Sequence, residues 1–71
     1  MKTIVYRYSN GKTTEHTRYI KSSTIKREAE GSKTCNIYEK STKLETVCFG
    51  IVENQKEYVT RYKFVTTLIL K

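Results

Sequence analysis

Two-residue turn candidates recur along this chain at Asn10-Gly11, Gly31-Ser32, Ser41-Thr42 and Asn54-Gln55, with a weaker one near Lys21-Ser22. Runs of β-branched and aromatic residues fill the intervals. Strand-like runs separated by turn residues roughly every 8–12 positions are the pattern of an antiparallel all-β domain. The spacing therefore predicts an all-β, antiparallel meander of about six strands, closed or nearly closed into a small barrel. With 71 residues the chain forms one small β domain, 1–71, with a thin core and marginal stability.

Asn10-Gly11 is the strongest turn signal, because a type I′ turn needs positive φ at both central positions. A two-residue loop there pairs Tyr8 with Thr13, Tyr6 with Glu15 and Ile4 with Thr17. Gly31-Ser32 suits a type II′ turn, with Gly first. Ser41-Thr42 sets Cys35 opposite Cys48, and Asn54-Gln55 sets Ile51 opposite Tyr58. Residues 23–30 admit two readings. Lys26 and Arg27 come early and Glu28 and Glu30 late, an order that opposes a helix dipole and favours a strand. The alternative is a short helix at 23–30 stopped by Gly31.

Side chains alternate across a sheet, so these registers sort residues into two faces. One face gathers all six tyrosines and both phenylalanines with Ile4 and Ile25, and is the expected core. The other carries Arg7, His16, Arg18 and Lys26 toward the amino-terminal end. Toward the carboxyl end it carries Ile37, Leu44, Val52, Val59 and Val65. An exposed apolar set of that kind predicts contact with a protein or with a second copy of the chain. The apolar last segment, Val65 to Leu70, either closes the barrel or pairs with another copy, a homodimer.

The formal net charge is +7, and residues 1–27 supply +6 of it, from seven Lys/Arg against Glu15 alone. A local positive field favours anionic partners: nucleic acid or an acidic protein surface. The competing explanation is solubility. Arg7, His16, Arg18, Lys21, Lys26 and Arg27 are the expected contacts. His16, the only histidine, reads first as a solvated surface side chain and second as a phosphate or base contact.

Cations interleave with tyrosines in Tyr6-Arg7-Tyr8, Arg18-Tyr19 and Arg61-Tyr62-Lys63. Single-strand binders combine these residue types, but they need rings and charges on one face. Strict alternation separates them, so the expectation is charge-led docking and not base stacking.

No catalytic grouping, phosphate loop or zinc-ligand spacing is present in the sequence, so a non-catalytic protein without cofactors or metals is expected. Glu15, Arg27 and Glu45 fall on the aromatic face and offer a small-ligand cavity as a third reading. Their alternative role is to pair with one another at the rim. No apolar stretch is long enough for a signal peptide or a transmembrane helix, which points to a cytoplasmic protein with no membrane role. In that compartment Cys35 and Cys48 are expected as free thiols, with a cross-strand disulfide as the alternative. The leading expectation is a small basic binding protein that docks on an anionic partner, nucleic acid first. A protein-binding regulator or inhibitor of viral or plasmid type is the runner-up.

Overall fold

The computed structural model describes residues 2–49 and 52–70, with side chains for 2–44 and 57–70. Strands β1 (Lys2–Tyr8) and β2 (Thr13–His16) form a hairpin, helix α1 (Ser22–Ala29) follows, and β3 (Thr34–Phe49) and β4 (Val52–Ile69) form a second hairpin. All four strands belong to one antiparallel sheet in the order β2-β1-β3-β4. The molecule is mostly β and antiparallel, as the turn spacing predicts. Among the described residues there are four strands, not six, and the sheet stays open, with β2 and β4 at its edges.

The first hairpin turns where expected but by another geometry. The Gly11 amide donates to the Tyr8 carbonyl at 2.9 Å and the Tyr8 amide to the Lys12 carbonyl at 2.8 Å. Gly11 has φ +95°, whereas Asn10 is not among the positive-φ residues. This is a three-residue loop closed by a glycine bulge, not a type I′ turn. The Asn10 side chain explains the choice. Its Oδ1 accepts from the Lys12 amide at 2.9 Å and its Nδ2 reaches the Ala29 carbonyl at 3.3 Å, tying the turn to the end of the helix. The extra loop residue slips the register by one, so Ile4 faces His16, Val5 faces Glu15 and Tyr6 faces Thr14. A one-residue slip moves every side chain of β2 to the opposite face.

Residues 22–29 are helical, so the alternative reading of that segment holds and the strand reading fails. Ile25 and Ala29, one turn apart, are its buried residues. With the helix beginning at Ser22, Lys26 and Arg27 fall in its last turn, where they offset Glu28 in the same turn and Glu30 at the C-cap, so the charges no longer oppose the helix and its buried Ile25 and Ala29 decide it. Glu30 (φ +50°) and Gly31 (φ +85°) then both adopt the left-handed conformation that ends a helix, in place of a type II′ hairpin turn. The Ser32 amide closes the cap on the Ala29 carbonyl at 2.9 Å.

Neither Ser41-Thr42 nor Asn54-Gln55 is a turn. β3 runs unbroken through the first pair and β4 through the second. Phe49 and Val52 face each other at the far end of the hairpin. The expected partner of Tyr58, Ile51, is outside the described residues, and Tyr58 faces Leu44. Cys35 faces Leu68 and is a buried free thiol. Cys48 lies thirteen positions further along the same strand. At about 3.3 Å per residue that separation is roughly 40 Å, which no disulfide within one chain can span.

The core lies between the helix and one face of the sheet. Ile4, Tyr6, Tyr8, Cys35 and Ile37 from the strands meet Ile25 and Ala29 from α1, with Ile20, Leu68 and Leu70 packed at the margin. Alternation in β1 and β3 and one-turn spacing in α1 generate this set. Ile37 is therefore a core residue and not part of an outer contact face. β1 pairs with β3 only as far as Ser41. Beyond it, Thr42–Phe49 and Val52–Thr60 continue as a two-stranded ribbon, which gives the molecule its 56 Å long axis against 19 and 16 Å.

Candidate functional site

The sheet has two dissimilar faces. On the helix side a carboxylate network locks α1 to the first hairpin. The Tyr8 hydroxyl donates to Glu28 Oε1 at 2.9 Å, Thr14 Oγ1 donates to the same oxygen at 3.0 Å, and His16 Nε2 lies 2.9 Å from Oε2. Burial opposes ionisation of Glu28, yet the Tyr8 and Thr14 hydrogen bonds and the His16 contact outweigh it, so the carboxyl sits below its ordinary range. Burial, followed by the Glu28 contact, pushes the Tyr8 phenol well above its usual value. The register slip is what brings His16 here. It stacks edge-on against Tyr6 with ring centroids 5.5 Å apart, so it is a structural partner of Glu28 and Tyr6 and not a solvated side chain.

The opposite face carries no helix. Val5 faces Tyr38 and Arg7 faces Asn36 across β1 and β3, while Tyr38 faces Phe64 across β3 and β4. The Arg7 guanidinium lies 5.9 Å from the centre of the Tyr38 ring, within cation–π range. Tyr38 meets Phe64 edge-on at 5.6 Å. Val5, Arg7, Tyr38 and Tyr62 line a cleft of about 270 Å³. Phe64, Tyr62 and Tyr58 are 55%, 61% and 74% exposed, an extent unusual for rings that a domain has no need to present. Lys40 and Glu15 pair at 3.3 Å at the edge of this surface.

The aromatics are thus divided between the faces instead of sharing one. Tyr6 and Tyr8 are buried under the helix, and Tyr38, Tyr58, Tyr62 and Phe64 lie along the open side. The division overturns the expected separation of cations from rings, because Arg7 sits on the open face with them. Tyr38, Tyr62 and Phe64 are the site residues that the sequence reading missed. The Arg-Tyr-Lys run at 61–63 was the signal available for them.

The remaining expected contacts do not converge on Arg7. Lys21 stands at the N-cap position of α1 without a side-chain capping bond, Lys26 and Arg27 project from the helix, and Arg18 lies in the preceding loop; all four are exposed. A second basic region of the sheet lies beside Glu39, where Lys2, Glu39, Ser41, Arg61, Tyr62 and Lys63 line an open cleft of about 510 Å³. Glu39 there accepts from the Tyr19 hydroxyl at 2.9 Å and pairs with Lys2 at 3.3 Å. These contacts hold its carboxyl below the ordinary range.

Among the expected apolar contacts, Leu44 is 52% exposed, Val59 is half-buried and Val65 is exposed. Leu44 faces Tyr58 and Lys43 faces Val59, so Leu44 and Val59 lie on opposite faces of the ribbon and form no single patch. The side chain of Val52 is outside the described residues. The proposed ligand cavity also disperses, because Glu15 pairs with Lys40, Arg27 projects from the helix and the Glu45 side chain is outside the described set.

Among the described residues no group of three or more His, Cys, Asp or Glu could hold a metal ion. No described helix is long and apolar enough to cross a membrane. Comparison with protein-family models, with curated proteins and with solved structures returned no match.

Proposed function

We propose that this is a small, non-catalytic, basic binding protein whose anionic partner is nucleic acid, held single-stranded against the open face of the sheet. The observation that supports this reading is the meeting of Arg7, Tyr38, Tyr62 and Phe64 on one uncovered surface. Bases stack on exposed rings with little regard to sequence, while arginine contributes both charge and a flat guanidinium. Lys40 flanks the rings, and the net charge of +7 draws a polyanion to the molecule. Arg18, Lys21, Lys26 and Arg27 supply the long-range part of that attraction, and His16 takes no direct part in it.

Fluorescence anisotropy with single-stranded and duplex oligonucleotides across a salt series tests the proposal. The expected result is preferential binding of the single strand, weakening as salt rises. The Tyr62→Ala/Phe64→Ala double variant should bind at least tenfold more weakly, since each stacked base contributes about 1–3 kcal/mol. Absence of binding to any nucleic acid at low salt would end the proposal. Tighter binding to duplex, indifferent to the double variant, would move the site to the helix-side cations. The protein-binding alternative keeps one specific support, the projecting ribbon with Leu44 and Tyr58 exposed on it.

A further inference from the structure

We propose that the free edge of β4 is a self-association surface, on which a second copy of this chain adds its own β4 antiparallel about a two-fold axis at Thr60. β4 is an edge strand of eighteen residues that pairs with β3 alone. A long unpaired edge is a template for another strand unless charge, proline or a bulge blunts it. This chain contains no proline, and the β4 irregularities fall at Val65, because Ile37 faces Thr66 and Tyr38 faces Phe64, and between Val52 and Gln55, because Phe49 faces Val52 and Val47 faces Gln55. Gln55 to Phe64 therefore present regular edge, and the charges on it, Lys56, Glu57, Arg61 and Lys63, are of both signs.

Charge and aromatic pairing together select the register. Within the chain the ladder sets Glu57 opposite Glu45, a like-charge pairing that destabilises a sheet. Arg61 and Lys63 lie further along the strand on the same side as Glu57. A two-fold axis at Thr60 places Lys63 of each copy opposite Glu57 of the other, Tyr58 opposite Tyr62, and Thr60 opposite itself. Opposite charges, aromatic pairs and threonine pairs are the favourable cross-strand combinations. Displacing the axis by one residue to Arg61 sets that cation against its own copy, and displacing it to Val59 pairs Glu57 with Arg61 but sets Tyr58 against Thr60 and Lys63 against Gln55, losing the aromatic pair. Such an edge buries less than the ~1,600 Å² of a standard interface, so association belongs at micromolar concentration or above. The open faces of the two sheets would join into one surface, but the pairing does not depend on the nucleic-acid reading.

Sedimentation of the full chain over a wide concentration range tests this. A monomer–dimer equilibrium is expected. Glu57→Lys should weaken it roughly tenfold, through two symmetric contacts, and E57K/K63E should restore it. In a Cys48→Ser background Thr60→Cys should cross-link under mild oxidation, and Val59→Cys should not. Circular dichroism checks that each variant keeps its fold. A protein monomeric at millimolar concentration, or a dimer indifferent to both charge variants, overturns the proposal.

Discussion

The helix-covered body and the projecting ribbon are made from the same two long strands, yet they follow different rules. Over residues 34–41 and 61–69 the hairpin is flanked by β1, and Cys35 and Ile37 are buried beneath α1. Past Ser41 no third strand or helix among the described residues accompanies it, and Leu44 and Tyr58 stand in solvent. A two-stranded ribbon has little stability of its own, so it depends on the body for its register. The body is concerned with folding, and the ribbon and open face are left to present side chains.

Truncating the core gives the largest expected effect. Tyr6→Ala should destabilise the protein by about 3–5 kcal/mol and Ile25→Ala by about 2–5 kcal/mol in urea titrations. Leu44→Ala should stay within about 0.5 kcal/mol. Comparable losses at Leu44 and Ile25 would erase the distinction between body and ribbon. Glu28→Ala comes next, at about 1–3 kcal/mol, because it strands the Tyr8 hydroxyl in a partly buried setting and removes the His16 contact.

Acid should act through the same carboxylate. The Glu28 pKa is depressed in the folded state, so its contribution is present above the unfolded value of about 4.3 and is lost as pH falls through the lower folded value. Thermal midpoints should therefore drop as pH falls below about 4.3 in the native protein, and less steeply in Glu28→Gln. An unaltered slope in that variant would detach the network from stability. Smaller again is the effect of Tyr62→Ala, within about 0.5–1 kcal/mol in stability, because the ring is already 61% exposed.

How far the sequence revealed the fold depended on how local each determinant was. β1 and its core face were legible from alternation, since Ile4, Tyr6 and Tyr8 point one way whatever they pair with. The turn at Asn10-Gly11 was legible as a turn but not in its type, because the Asn10 amide is engaged by Ala29, nineteen residues away. The three-residue loop slips β2 by one residue and carries His16 to the other face. α1 was weighed by its charges, although Ile25 and Ala29 one turn apart were the stronger signal. Ser41-Thr42 looked like punctuation only because small polar residues are common in turns. Neither supplies the positive φ of a hairpin turn, and Thr42 sits well in a strand opposite Thr60. The open aromatic face was hidden for the same reason, since it exists only once β3 and β4 run straight past both false turns.

The most direct test of the account is a titration of isotopically labelled protein with a single-stranded oligonucleotide, followed residue by residue by NMR. The account predicts that shifts concentrate at Arg7, Tyr38, Tyr62 and Phe64, while Ile25 and Ala29 beneath the helix stay still. Shifts confined to Lys21, Lys26 and Arg27, or no shifts at all at low salt, would contradict it.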